Sequence, residues 1–219
     1  MRRIRIVCIV LAMAVMISCT AYASTNILKN GSFDDPVSEN NWGSYCATVT
    51  DGITFGESWT AEGSINLVQA PYWQMPSSQC LDLVGENVGE NVTYGVWQDV
   101  NTSAGQLYSL SFELAGNPNS GPPLKTAAVY WGGVWVKDLA FDTTGKSGDN
   151  MGWETVTISG LVGKANGTRL EFRNTNTASG NGGVALDNAS LTAVPEPGTI
   201  FAALSILSPV GLVFRRRRA

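Results

Sequence analysis

The sequence predicts an all-β fold, an antiparallel β-sandwich of jelly-roll type. Three observations carry that prediction. Short runs of alternating apolar and polar residues recur along the chain, bounded by clusters rich in Gly, Asn, Ser and Thr. Apolar residues at helical spacing are nearly absent between the two ends. Setting aside one apolar segment at each terminus leaves about 170 residues, enough for a single domain with a substantial core.

The elements follow in order. Residues 36–58 carry no clear pattern and read as an irregular excursion between the first two strands. Strands are expected over 65–68, 80–83 and 93–100. The clearest is 107–115, where Tyr108, Leu110, Phe112 and Leu114 share one face and Ser109, Ser111 and Glu113 the other. Further strands are expected over 125–130, 134–141 and 153–159. In 168–173, Leu170 and Phe172 point inward while Arg169, Glu171 and Arg173 point outward, and a last strand covers 184–192. Loops fall at 85–90, 117–123, 143–150 and 175–183. About nine short strands that close near their own start favour the sandwich.

Neither end belongs to this domain. Residues 1–23 read as a signal peptide: Arg2, Arg3 and Arg5, an apolar run over 6–17, then Ala21-Tyr22-Ala23 as a small-x-small cleavage site. Cleavage after Ala23 makes Ser24 the mature N-terminus. Cys19 leaves lipoprotein processing as an alternative, though Met16-Ile17-Ser18 departs from a lipobox. At the other end Pro195, Glu196 and Pro197 close the domain, so that residues 24–194 fold together. Residues 199–214 then run without a charge, and Arg215 to Arg218 follow. As a helix this span reaches about 24 Å, short of a ~30 Å hydrocarbon core. Pro209 and Gly211 weaken it further, and the arginines would hold its end on the cytoplasmic side. The order of tripeptide, span and basic cluster in 195–219 resembles the PEP-CTERM sorting signal of exported Gram-negative proteins. That resemblance implies an exosortase-type processing enzyme as partner and a transient inner-membrane anchor. It also implies a destination at the cell envelope, cell surface or extracellular matrix. A plain membrane anchor or a buried C-terminal helix is the alternative.

Composition excludes several classes of function. Of 18 Asp and Glu, all but Glu196 lie in the domain. Of 14 Lys and Arg, three fall in the signal peptide and four in the tail, so the domain carries about −10. An acidic body disfavours nucleic acid and anionic membrane surfaces as partners. The chain has no histidine, which removes His-based triads, His zinc sites and imidazole acid–base chemistry. Ser and Thr are plentiful without a base to activate them, and no (β/α) repeat frames a glycosidase carboxylate pair. The protein is therefore read as non-catalytic. Two cysteines remain after signal cleavage, Cys46 and Cys80, and an exported pair in an oxidising compartment is expected to form one disulfide. Two separate thiols are the alternative, because sequence does not show proximity.

Residues 26–36 read NILKNGSFDDP, and 186–191 read LDNASL. This opening and closing pair resembles the galactose-binding-like sandwiches, which include many carbohydrate-binding modules. The blocks Trp59-Thr60 with 63–68, Tyr72-Trp73-Gln74 with Leu81-Asp82-Leu83, 112–118, and 141–147 with Met151-Gly152-Trp153 narrow it. Together they resemble the bacterial choice-of-anchor exported domain, related to a plant cell-wall domain of unknown function. The resemblance implies a cell-surface sandwich that binds polysaccharide. It also implies a structural calcium tying the first strand to the last through Asp34 and Asp187, with backbone carbonyls completing the shell. The alternative is that Asp34 caps a turn before Pro36 and Asp187 is a solvated strand residue.

All seven Trp lie in the domain. Sugar sites use flat rings on C–H faces, whereas buried Trp fills a core. Trp97 and Trp153 sit in strand patterns and are expected in the core. Tyr72 and Trp73, between Pro71 and Pro76, and Trp131, before Gly132-Gly133, are expected to be exposed, with Trp135 as a neighbour. In extended chain Tyr72 and Trp73 point to opposite faces, as do Tyr130 and Trp131, so one ring of each pair can be core and one platform. The expected function is non-catalytic polysaccharide binding through Tyr72, Trp73, Trp131 and Trp135. The alternative is an adhesive or structural protein that recognises protein or itself.

Overall fold

The computed structural model describes residues 25–35, 45–85, 92–176 and 182–195. Ala23, Ser24, Glu196 and Pro197, with the rest of the expected signal peptide and sorting tail, lie outside the described residues, as does Trp42. Twelve strands are present among the described residues: β1 (Cys46–Val49), β2 (Thr54–Phe55), β3 (Trp59–Glu62), β4 (Ile65–Gln69), β5 (Gln79–Asp82) and β6 (Gly95–Val100) come first. β7 (Leu107–Gly116), β8 (Leu124–Trp131), β9 (Val134–Asp142), β10 (Glu154–Val162), β11 (Thr168–Asn174) and β12 (Val184–Ala193) complete them. They form two antiparallel six-stranded sheets, ordered β1-β4-β5-β12-β7-β10 and β2-β3-β6-β11-β8-β9. The all-β sandwich expected from the sequence is what the chain forms.

The alternation in β7 sets the layers. Tyr108, Leu110, Phe112 and Leu114 are buried between the sheets, while Ser109, Ser111 and Glu113 face out. From the second sheet, Phe172 meets Phe112 edge-on at 5.1 Å, and Trp59 lies 6.2 Å from Phe172 and 5.3 Å from Phe33. These rings hold the sandwich together at its centre. The opening and closing motifs meet as the resemblance implies. Ile27 N donates to Leu191 O at 2.9 Å, and Ala189 N to Gly31 O at 2.7 Å. A Cβ on Gly31 would lie 1.9 Å from Ala189 O, so only glycine allows that approach.

Several expectations are corrected. The stretch 36–58 is not wholly irregular: β1 and β2 lie within it. They are too short, at four and two residues, to show a period. Cys46 and Cys80 are not joined by a disulfide. Both sit opposite Val68 on neighbouring strands, one on each side of β4. Two strand spacings put their Cα atoms roughly 10 Å apart, beyond the reach of an S–S bond. Trp97 is half-buried on the outer side of the second sheet, not in the core. Trp153 is half-buried, packed on the core's edge with its Nε1 donating to Gln74 O at 2.7 Å.

Candidate functional site

Strand register gathers the outward side chains of the second sheet into rows. One row runs Thr60, Trp97, Glu171, Tyr130, Trp135 across β3, β6, β11, β8 and β9. The next runs Glu62, Gly95, Arg173, Ala128, Asp138 across the same strands. Trp97 and Tyr130 are separated by β11 alone, so about 10 Å divides the two positions. Trp135 is 55% exposed, and its Nε1 donates to Asp138 Oδ1 at 2.9 Å, which pins the indole on this face beside Ala128. The turn that delivers it is Gly132-Gly133, with φ of 59° and 79°. Two consecutive positive φ values make a tight two-residue hairpin, which glycine enters without strain.

Charges are matched in pairs around the rings. Arg169 makes two hydrogen bonds to Asp99, at 2.8 and 2.9 Å, and its guanidinium carbon lies 3.5 Å from the centre of the Trp97 ring. That pairing holds the Asp99 carboxyl below its ordinary range and raises Arg169 above its own. Arg173 lies 4.8 Å over Tyr130 and pairs through Nη2 with Glu171, which is buried. Its Nε is 3.6 Å from Glu62 Oε2, and it is buried without a hydrogen-bond acceptor among the described residues. Beside it opens a cleft of about 390 Å³ lined by Asp51, Glu62, Gly63, Val92, Thr93 and Arg173. Asp51 Oδ1 accepts from Gly63 N at 2.9 Å.

The ring residues expected from sequence divide. Trp135 is on this face, but Trp131 is 6% exposed, with Nε1 donating to Val162 O at 2.7 Å and Tyr108 6.2 Å away. It is a core residue because strand alternation turns it inward while Tyr130 turns out. Trp73 is 2% exposed and also belongs to the core. Tyr72 is 45% exposed, stacked at 6.5 Å on Tyr45, and its Oη accepts from Asn119 Nδ2. Asn119 precedes β8 and Trp135 follows it, so Tyr72 and Trp135 lie at opposite ends of that eight-residue strand, roughly 23 Å apart. They form no common patch. Trp97 was expected in the core, Tyr130 was named only as the ring turned opposite to Trp131, and Glu62 and Asp51 were not singled out from sequence. The alternation of β6, which places Trp97 with Asp99 opposite Val96, Gln98 and Val100, held the signal for the first.

Asp34 and Asp187 do come to one place. Asp34 Oδ1 accepts from Ser78 N and Oγ at 3.2 and 2.6 Å. Asp187 is fully buried, accepting from Ser77 N and Oγ at 3.0 and 2.8 Å and from Asn188 N at 2.6 Å. Burial pushes the Asp187 carboxyl up to about 6; the Ser77 and Asn188 hydrogen bonds oppose that, and the Asp34 charge adds to it. The Ser77 hydroxyl lies within 3.4 Å of Ser32 O, Gln79 O and both Asp187 oxygens. One proton cannot serve four acceptors. The nest holds one carboxylate and two carbonyls, with Asp34 on the adjoining Ser78, and no cluster of three acidic, His or Cys ligands occurs among the described residues. A second buried carboxylate, Asp82, accepts from Gly183 N and Asn117 Nδ2 at 2.7 Å each and from Val84 N at 3.1 Å. Burial raises it to about 6. Buried Lys125, itself lowered by desolvation, donates to Gly182 O and Ser120 O.

Fold and site together define an antiparallel β-sandwich whose open outer sheet face carries aromatic side chains among paired charges. The chain belongs to the family described as protein of unknown function DUF642, whose pattern matches residues 26–191. Halomucin of Haloquadratum walsbyi is 27% identical over 218 residues, covering 93% of this chain; the match spans 2% of that protein's length. Among solved structures, TmCBM61 in complex with β-1,4-galactotriose has a TM-score of 0.44 at 16% identity, covering 78% of this chain and 100% of that one. An apo cyclase from Fischerella sp. has a TM-score of 0.49 at 14% identity, covering 78% and 97%. The CBM22-1 xylan-binding domain of Xyn10C from Paenibacillus barcinonensis has 0.46 at 12%, covering 68% and 94%. At these scores and identities the likeness carries no argument about ligand or activity.

Proposed function

We propose that this domain is an exported, non-catalytic polysaccharide-binding module and that the outer face of its second sheet is the binding surface. The observation that carries the reading is Trp135, a large ring left half in water yet pinned by Asp138 beside Tyr130. A ring held in place spends little entropy when a sugar stacks on it. A non-catalytic role fits the carboxylates nearby, since pairing with arginine keeps Asp99 ionised and unsuited to donate a proton. The signal peptide, the 195–219 tail, exosortase processing, transient inner-membrane anchoring and final placement at the envelope, cell surface or matrix belong to the same proposal. So does a structural calcium at Asp34 and Asp187. It would neutralise the buried carboxylate and fasten the N-terminal segment to β12 through the Ser77-Ser78 corner. A glycan array on residues 24–194 and on its Trp135→Ala variant tests the reading. Binding lost in the variant supports it, and a flat array for the wild type sinks it.

One observation favours the adhesive alternative. Arg169 and Arg173 lie over Trp97 and Tyr130, so those two rings offer less open surface than Trp135. A stacked ladder of rings and guanidinium groups also suits a flat contact with protein. Self-association that Trp135→Ala abolishes, with no glycan bound, would favour that alternative.

A further inference from the structure

We infer that the outer face of the second sheet selects neutral, hydroxyl-rich chains over uronate or sulfated ones, and that the cleft at Asp51, Glu62 and Arg173 is the selecting subsite. The inference rests on the polysaccharide-binding reading and adds the chemistry of the ligand. Two cations stand on the face, and both are committed: Arg169 to Asp99, Arg173 to Glu171 and Glu62. Lys137 lies opposite Val129, whose side chain points into the core, so it belongs to the other side of β9. Lys164 is held at the hairpin turn by Gly132 O, at 2.7 Å. Against Arg169 and Arg173 stand five carboxylates, Asp51, Glu62, Asp99, Asp138 and Glu171, so the face is net acidic. An incoming carboxylate or sulfate finds no unmatched guanidinium and meets like charge.

A neutral sugar finds complementary groups instead. Glu62 and the second oxygen of Asp51 accept hydroxyl protons in the cleft, next to the Gly63 and Thr93 backbone. The small Gly95 and Ala128 flank Arg173 along the row that leads from the cleft toward Asp138 and the Trp135 ring. At about 390 Å³ the cleft has room for a sugar ring, with the rest of the chain crossing the strands toward Trp135.

The test is calorimetric titration of the wild-type domain with neutral polymers (xylan, mannan, galactan) and acidic ones (polygalacturonate, alginate), from roughly 50 to roughly 500 mM NaCl. A neutral polymer is expected to bind with a Kd that moves less than about twofold over that range, and acidic polymers not to bind. The Asp51→Asn/Glu62→Gln double variant is expected to weaken neutral binding at least about tenfold at unchanged melting temperature. Tighter, salt-sensitive binding of the acidic polymers would overturn the inference and leave polysaccharide binding standing. An unaffected double variant, beside a Trp135→Ala variant that loses affinity, would remove the cleft as a subsite. No binding of either class would defeat the underlying reading.

Discussion

Trp131 and Trp135 flank one two-glycine turn and differ chiefly in which side of the sheet they face, so alanine at each separates fold from site. Truncating Trp131 removes nearly all of a side chain that buries about 200 Å², worth at most ~5 kcal/mol at ~25 cal/mol per Å². Its hydrogen bond to Val162 O is lost as well. A compact denatured state reduces the area term, and about 3–5 kcal/mol of stability is the expected loss. For Trp135 the same arithmetic on its covered half gives about 2 kcal/mol as an upper bound. Its open half, roughly 110 Å², is what a sugar can cover; losing it should cost about 2 kcal/mol of binding, near thirtyfold in Kd. Urea melts followed by titration with a polymer that binds the wild type read both quantities. Trp131→Ala is expected to melt far below wild type yet, where still folded, to bind normally. Trp135→Ala is expected to do the reverse. A Trp135→Ala domain that binds such a polymer with the wild-type Kd refutes the placement of the site.

Other consequences are open to direct measurement. Both thiols should react with a maleimide after denaturation without reductant, and buried Cys80 should resist it in the folded domain; a recovered Cys46–Cys80 disulfide peptide contradicts the two-strand separation. The Asp82 carboxyl rises from 3.8 to about 6 on folding, so between those values the folded state binds the extra proton. Stability should therefore rise as pH falls from 7 toward 4, by at most ~3 kcal/mol from this group, and be lost again as pH climbs through 6. A Tm in chelator that drops steadily from pH 7 to 5 argues against it. Calcium should raise Tm at pH 7 by mass action, and Asp187→Ala should abolish that increment. The increment should also shrink below pH 6, where protons compete for Asp187; identical melts in calcium and chelator remove the cation. Mass spectrometry of the exported protein should find Arg215 to Arg218 missing, and an intact C-terminus would end the sorting proposal.

Sequence showed the layers but not the rows. The alternation in β7 and β11 was legible because apolar and polar residues alternate strictly along both strands, and their inward residues are the ones found in the core. Trp73 and Trp131 misled because proline and glycine neighbours mark turns, and a turn says where the backbone bends without saying which way a ring points. The outward partners Tyr72 and Tyr130 were implied by the same alternation. The β2–β3 hairpin brings Asp51 and Glu62 together, but they share a cleft with Arg173 only through the pairings β3–β6 and β6–β11. No local pattern encodes those pairings. The Cys46–Cys80 bridge failed for the same reason: the compartment argument supplied chemistry, while register supplied the distance.

The two sheets also differ in a way that supports placing the proposed binding surface on the second. A sandwich needs each sheet to bury only its inner face, yet in the first sheet the outward residues Cys80, Asp82, Ala115, Ala185 and Asp187 are all at or below 1% exposure. Its outer side is covered at that end. Asn117, from the β7–β8 connection, reaches Asp82, and Ser77, from the β4–β5 connection, reaches Asp187. Acidic groups enclosed by backbone and side-chain donors in this way stabilise connections and leave no open face at that end of the sheet. The second sheet keeps Trp135 in water, with Trp97 and Tyr130 half-buried beneath Arg169 and Arg173. Changes at Asp187 should therefore move the melting temperature and leave Kd alone, and changes at Trp135 should move Kd far more than the melt. That division is the physical basis for proposing a structural role for a cation at Asp187 and a sugar site on the second sheet.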